Sequence, residues 1–345
     1  MSGRQRKVQT NLAAWICKTD SSEQKFRWLL RRKNNVQPRS LHRLENEENG
    51  MKATNENAVQ TTQAAEYVFD NAGRNAEERY RTLSCLYDAN TIRHLKKRGV
   101  EEGWSCLEVA AGGGSIASWL CLRVGPSGQV VATDIDPRFL QTLPHTNLEV
   151  RRHDIRVDEL PASQFDLVHA RLLLVHLPER ERALRRMVES LKPGGWIVLE
   201  EFDALSLLPD PTVSPAEVDL KIRHAFHEIL TDRSVDLRCG RLLVHKLRAH
   251  GLVNIGVEAS VSLWGGQSVG ASHMKLSLEE MRGPMLRSGL ISQEEFEADL
   301  KRIDDHDFLM PSPMMWTAWG AKAGSGVTNP VGGELLKSCG NRRLV

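Results

Sequence analysis

The sequence predicts an α/β fold in which a mostly parallel sheet carries crossover helices on both faces. Three observations predict it. Short apolar runs alternate with helical stretches from about residue 76 to residue 200, the rhythm of β-α-β units. A glycine cluster, Gly112-Gly113-Gly114, stands between the first apolar run and the helix that follows, where the backbone must turn sharply or approach a ligand. Composition is that of an ordinary globular protein, 41% hydrophobic and 26% charged over 345 residues, which is enough for a sizeable core.

In chain order, 76–97 reads as a helix with Leu83, Leu86, Tyr87, Ile92 and Leu95 at apolar positions. A strand at 105–109 runs into the glycines, and a helix follows at 115–123. Further strands are expected at 129–133, 148–151 and 165–169. Residues 178–191 read as a helix with Pro178 near its first turn, where a missing N–H is tolerated. Lys192-Pro193-Gly194-Gly195 reads as a turn before a strand at 196–200. Beyond residue 201 the texture changes, with helices at 214–232, 238–250, 273–288 and 292–304. A strand falls within 251–261 and a last one at 314–319.

The net charge of +2 is unevenly spread: residues 1–50 hold 11 Lys/Arg against 5 Asp/Glu, which leaves a slightly acidic body. Such a body offers no footprint for nucleic acid. Residues 1–60 are expected to be a disordered or spurious extension, with Met51 as a credible start and a mitochondrial presequence as the alternative. The Gly-rich stretch 322–345 is expected to be a disordered tail. Six scattered cysteines form neither a CxxC pair nor a zinc spacing, so no metal is expected and a reducing, cytoplasmic setting is. No apolar run reaches the roughly 18–20 residues of a membrane span.

The chemistry centres on Leu107-Glu108-Val109-Ala110-Ala111-Gly112-Gly113-Gly114-Ser115, a strand, a glycine turn and a helix N-terminus with unpaired N–H groups. Gly112-x-Gly114-x-x-Ala117, with Asp134 20 residues after Gly114, also fits a dinucleotide fingerprint. An NAD(P)-dependent oxidoreductase is therefore one reading. Glu108 argues against it, because a carboxylate there would repel a pyrophosphate but welcome a cationic amino-acid head group. Asp154 could accept from an adenine amino group, with Ile135 and Ile155 as apolar walls.

At these residues the chain resembles class I S-adenosylmethionine-dependent methyltransferases. Glu108 to Gly114 is similar to their glycine motif, with Ala110 in place of the usual first glycine. Asp134 and Asp154 match the acids closing the second and third strands. Phe165-Asp166-Leu167-Val168 and Leu191-Lys192-Pro193-Gly194-Gly195 resemble the fourth-strand motif and the turn before the fifth. The resemblance covers 64–321 and is nearest to small-molecule enzymes of quinone and antibiotic biosynthesis. It implies a Rossmann-like sheet of order 3-2-1-4-5-7-6 with an antiparallel seventh strand, extra helices between strands 5 and 7, and S-adenosyl-L-methionine as cofactor. The implied contacts are Glu108, Ala110, Gly112, Gly113, Gly114, Asp134, Ile135, Asp154, Ile155 and Ala170. The partner it implies is a small-molecule methyl acceptor, methylated at oxygen, nitrogen or carbon. A catalytically silent, cofactor-binding partner subunit is the remaining alternative.

A base is needed only if the acceptor must lose a proton. The candidates His169, His176, Glu200, Glu201 and Asp203 lie near the ends of strands four and five, where ligands bind in such sheets. His176 and Glu201 are taken first, and alternation lets only one of Glu200 and Glu201 face the site. Asp166 is expected to orient its loop. Residues 205–310 are expected to form an acceptor pocket or lid, lined by Phe226, Leu230, Trp264, Met274, Met281 and Met285. The histidines His224, His227, His245, His250, His273 and His306 show no metal-ligand spacing.

Overall fold

The computed structural model describes residues 75–206 and 216–324. The expectations for residues 1–60, for a start at Met51 and for most of the tail lie outside the described residues. Helix α1 (Ala76–Lys97) precedes β1 (Ser105–Val109), α2 (Ser115–Val124), β2 (Gln129–Asp134), β3 (Leu148–Arg152) and β4 (Phe165–Arg171). Then come α3 (Arg180–Ser190), β5 (Leu191–Asp203), α4 (Ala216–Asp232), α5 (Cys239–Ala249) and β6 (Val253–Ser260). The chain continues through β7 (Leu263–Gly265), α6 (Val269–Arg287), α7 (Gln293–Ile303), β8 (Leu309–Pro311) and β9 (Met314–Ala321).

Seven strands form one sheet in the order β3-β2-β1-β4-β5-β9-β6. The first five pair in parallel, and β9 runs antiparallel to both β5 and β6. This is the expected class I methyltransferase topology, β9 being its antiparallel seventh strand. Both faces of the sheet are covered, so its strands read as near-continuous apolar runs. Leu107, Val109, Val168, Ala170, Ile197 and Leu199 share a core with Leu184 and Met187 of α3. Their neighbours Cys106, Leu167 and Val198 point the other way, against Leu120 and Val124 of α2 and Leu95 of α1.

The structure corrects three local readings. Lys192–Gly195 is not a separate turn but an excursion within β5: Leu191 pairs with Phe165 and Trp196 with Leu167. Gly194, at φ 82°, donates its N–H to the Lys322 carbonyl at 2.8 Å, so the excursion leans on the chain after β9. Pro178 lies ahead of α3, whose N-cap is Glu179. Finally, β7 and β8 form a small antiparallel ribbon of their own, two three-residue pieces too short to show a period. Among the described residues, no helix is long and apolar enough to cross a membrane.

Candidate active site

The loop after β1 is built on left-handed backbone: Ala110, Gly112 and Gly114 have φ of 55°, 53° and 78°. A side chain in that region costs roughly 1–2 kcal/mol, which explains why glycine suits position 110 and why Ala110 is strained. At Gly112 an added Cβ would stand 2.7 Å from the Tyr80 ring, and at Gly113 2.9 Å from Tyr80 Cβ. Tyr80 of α1 thus packs down on the loop. At Gly114 an added Cβ would meet Leu143 at 2.7 Å and Leu140 at 2.9 Å. Gly114 serves helix packing there and does not line the cavity described below.

Asp134, at the end of β2, binds both sides of its own turn. Its Oδ2 accepts from the Gly112 N–H and its Oδ1 from the Asp136 N–H, each at 2.9 Å. Burial raises its pKa from the usual carboxylate range, partly opposed by those two N–H groups. Asp154 is gripped by the Arg156 guanidinium, with Nε–Oδ1 at 3.0 Å and Nη2–Oδ2 at 2.8 Å, and this pairing lowers its pKa. An adenine amino group would share that carboxylate with Arg156.

Glu108 is 5% exposed, and its Oε2 makes no hydrogen bond within the protein. Its Oε1 lies 3.7 Å from Nδ1 of the fully buried His169, whose Nε2 lies 3.5 Å from Glu200. Glu108 and His169 are register partners on β1 and β4, so one sheet face carries a carboxylate–imidazole–carboxylate row. Burial pulls the His169 pKa down, but the two carboxylates outweigh it and raise it to about 9. On Glu200, burial acts upward and is outweighed by His169, Arg171 and Thr91, giving about 2. Glu200 also accepts from Thr317 at 2.8 Å and from Thr91 of α1. Beneath the site it is an anchor.

Of the five base candidates only His176 lines the cavity. Burial, reinforced by nearby Arg79, lowers its pKa to about 3, so its imidazole is neutral. Glu201 is corrected: its Oε1 accepts from the N–H groups of Leu173 at 3.1 Å and Leu174 at 2.7 Å, and its Oε2 from Val175 at 3.2 Å. It faces away from Glu200 and holds the turn that carries His176. Burial raises its pKa to about 8 against the opposing pull of the three amides. Asp203 forms an ion pair with Arg241 of α5, and Asp166 bonds Lys192 and the Ser105 N–H. Ala170 is also corrected: wholly buried in β4, it leaves the cavity wall to the next residue, Arg171.

The cavity measures about 350 Å³ and has two ends. One is lined by Glu108, Ala110, Gly112, Gly113, Asp134, Ile135, Asp154 and Ile155, the other by Phe202, Phe226, Leu230, Trp264, Met274 and Pro313. Met281 and Met285 do not line it; they are fully buried core contacts of α6. Arg79 and Tyr80 of α1, Arg171, Phe202 and His273 also reach the wall and were not singled out as ligands in the sequence. Arg79 and Tyr80 lie one helical turn before Leu83 and Ser84, which line the same wall; that spacing was the available signal. Among the described residues, no group of three or more His, Cys, Asp or Glu could hold a metal ion.

A family model described as a methyltransferase domain matches residues 107–197, which run from β1 and the glycine loop through β4 into β5. Over these residues the chain is similar to a methyltransferase domain. Methyltransferase str2 of Strobilurus tenacellus is 35% identical over 100 residues, covering 28% of this chain and 35% of that one. The ubiquinone/menaquinone biosynthesis C-methyltransferase UbiE of Hahella chejuensis is 34% identical over 130 residues, 35% of this chain and 51% of that one. UbiE of Bordetella parapertussis is 31% identical over 139 residues, 37% of this chain and 54% of that one. The chain thus spans about a third to a half of the length of these curated relatives.

The donor of such a methyltransferase domain is S-adenosylmethionine. Two features of the cavity fit it: the buried Glu108 Oε2 with no protein partner offers a site for its ammonium group, and the side-chain-free Gly112 and Gly113 leave room for close backbone approach.

Proposed function

We propose that the protein transfers the methyl group of S-adenosylmethionine to a small organic acceptor. One observation carries this reading: the carboxylate-lined end at the β1, β2 and β3 termini and the apolar end under α4 and α6 belong to one continuous cavity. Donor and acceptor can therefore meet without solvent between them. Asp134 is assigned to the ribose hydroxyls, Glu108 to the methionine moiety, and Ile135, Asp154 and Ile155 to the adenine. The aromatic and methionine side chains beyond them form the acceptor chamber, Met274 giving an adaptable wall.

Little side-chain chemistry is required, because the sulfonium is already an activated donor. Holding the nucleophile in line at about 3 Å supplies much of the acceleration. The match to a methyltransferase domain and the inward-facing Glu108 both weigh against the oxidoreductase reading. Calorimetry tests the reading directly: S-adenosylhomocysteine should bind and NADH should not. Binding of NADH in preference would overturn it. Methyl release from labelled S-adenosylmethionine with a panel of phenols, amines and carboxylic acids separates an active enzyme from a silent partner subunit.

A further inference from the structure

His273 of α6 reaches the acceptor end of the cavity, and its surroundings fix how its ring is protonated. Its Nδ1 lies 2.9 Å from Oγ1 of Thr82 on α1, a residue with no exposed surface. The Thr82 hydroxyl donates to the Arg79 carbonyl at 2.9 Å. A hydroxyl has a single hydrogen. Both contacts are hydrogen bonds at once only when the hydroxyl donates to that carbonyl and His273 Nδ1–H donates to Oγ1. In that arrangement the proton sits on Nδ1 and Nε2 carries the lone pair. Burial, with Arg79 nearby, lowers the pKa of this ring to about 4, so the basic form prevails at neutral pH.

The same end of the cavity is selective in charge. Among the described residues, the only carboxylates on the cavity wall are Glu108, Asp134 and Asp154, all at the ends of β1 to β3 or just beyond. The acceptor end instead presents Arg79, His176 and His273 within an apolar shell. Arg79 is 3% exposed and stands 3.4 Å from Glu280 of α6. A Trp264 ring edge-on to His273, with centroids 6.4 Å apart, completes the wall beside it. An oxygen that turns anionic there meets the guanidinium of Arg79, itself ion-paired to Glu280.

Building on the methyltransferase reading, we propose that His273 is the general base of the reaction and that the acceptor is an apolar molecule with an ionisable hydroxyl, a phenol or an enol. The acceptor hydroxyl donates to His273 Nε2 and loses its proton there. The electron pair left on oxygen forms the new bond to the methyl carbon. The carbon–sulfur bond breaks, its pair returns to sulfur, and the products are a methyl ether, S-adenosylhomocysteine and an imidazolium that releases its proton to water. Thr82 is a positioning residue that holds Nδ1 protonated.

The test compares the full chain with His273→Asn, which can still donate to Thr82 but has no Nε2, and with Thr82→Val. Substrates are ring-substituted phenols ranging from mostly neutral to mostly ionised in one neutral buffer. His273→Asn should lower kcat on the neutral phenols by about 10²-fold or more and leave ionised phenols within a few-fold. Thr82→Val should shift rates the same way by less. Nitrogen-15 NMR of the histidine rings should show His273 protonated at Nδ1, and this signature should weaken in Thr82→Val. Equal losses on every phenol, or a ring protonated at Nε2, would overturn the assignment. So would binding of S-adenosylhomocysteine with no phenol methylated by the unaltered protein. Failure to bind S-adenosylhomocysteine at all would instead refute the methyltransferase reading beneath it.

Discussion

Glu201 offers the sharpest test of how the site is built, because its chain position suits a base while its contacts make it a clamp. Its two oxygens satisfy three buried backbone N–H groups, those of Leu173, Leu174 and Val175. Glu201→Gln keeps an acceptor for Leu173 and Leu174 but turns an N–H donor toward Val175. One buried donor left unsatisfied costs about 1–3 kcal/mol. For a domain of this size that corresponds to a fall in Tm of about 2–12 °C. Glu201→Leu strands all three donors, a gross loss of about 3–9 kcal/mol, offset in part because no carboxyl is then buried. Thermal unfolding monitored by circular dichroism should therefore rank the proteins wild type, Gln, Leu in falling Tm. Below its Tm the Gln variant should keep its turnover within a few-fold, since this carboxyl does not line the cavity. A Gln variant with unchanged Tm and turnover reduced about 10²-fold would refute the clamp and restore Glu201 as a base.

Three other outcomes follow from the site. Asp134→Ala should weaken S-adenosylhomocysteine binding in calorimetry at least about tenfold, because a hydrogen bond to a charged group is worth about 1.5–3 kcal/mol; unchanged affinity would sink its assignment to the ribose. Gly114→Ala places a Cβ 2.7 Å from Leu143 on backbone at φ 78°, so it should destabilise the fold by about 1–3 kcal/mol in urea unfolding, and an unaffected midpoint would contradict that packing. His176 and His273 are held at about 3 and about 4, below the unfolded value near 6.5. The stability they contribute is full above about pH 6.5 and is lost as pH falls toward 4, by up to about 1.4 kcal/mol per pH unit for each ring. His273→Asn should show a shallower acid slope in Tm against pH, and identical slopes would count against a buried neutral ring.

The sequence by itself determined the features that depend on near neighbours in the chain. Helix and strand periods, the glycine turn after β1 and the acids closing β1, β2 and β3 are all local. A strand end, its carboxylate and the following helix start occur within a dozen residues, so Glu108, Gly112 and Ser115 could be read together. Family resemblance extended this to the sheet order, with β9 between β5 and β6. Only the tertiary structure decided which way the side chains face. Alternation shows that Glu200 and Glu201 point oppositely, but not which face meets α1 and which meets the His176 turn; packing on both sides of the sheet settles that. It also brings Thr82 to His273 across 191 residues and seats Tyr80 on the glycine loop. Side-chain contacts depend on how helices dock, and docking is set by the summed burial of many residues, which no short window of sequence contains.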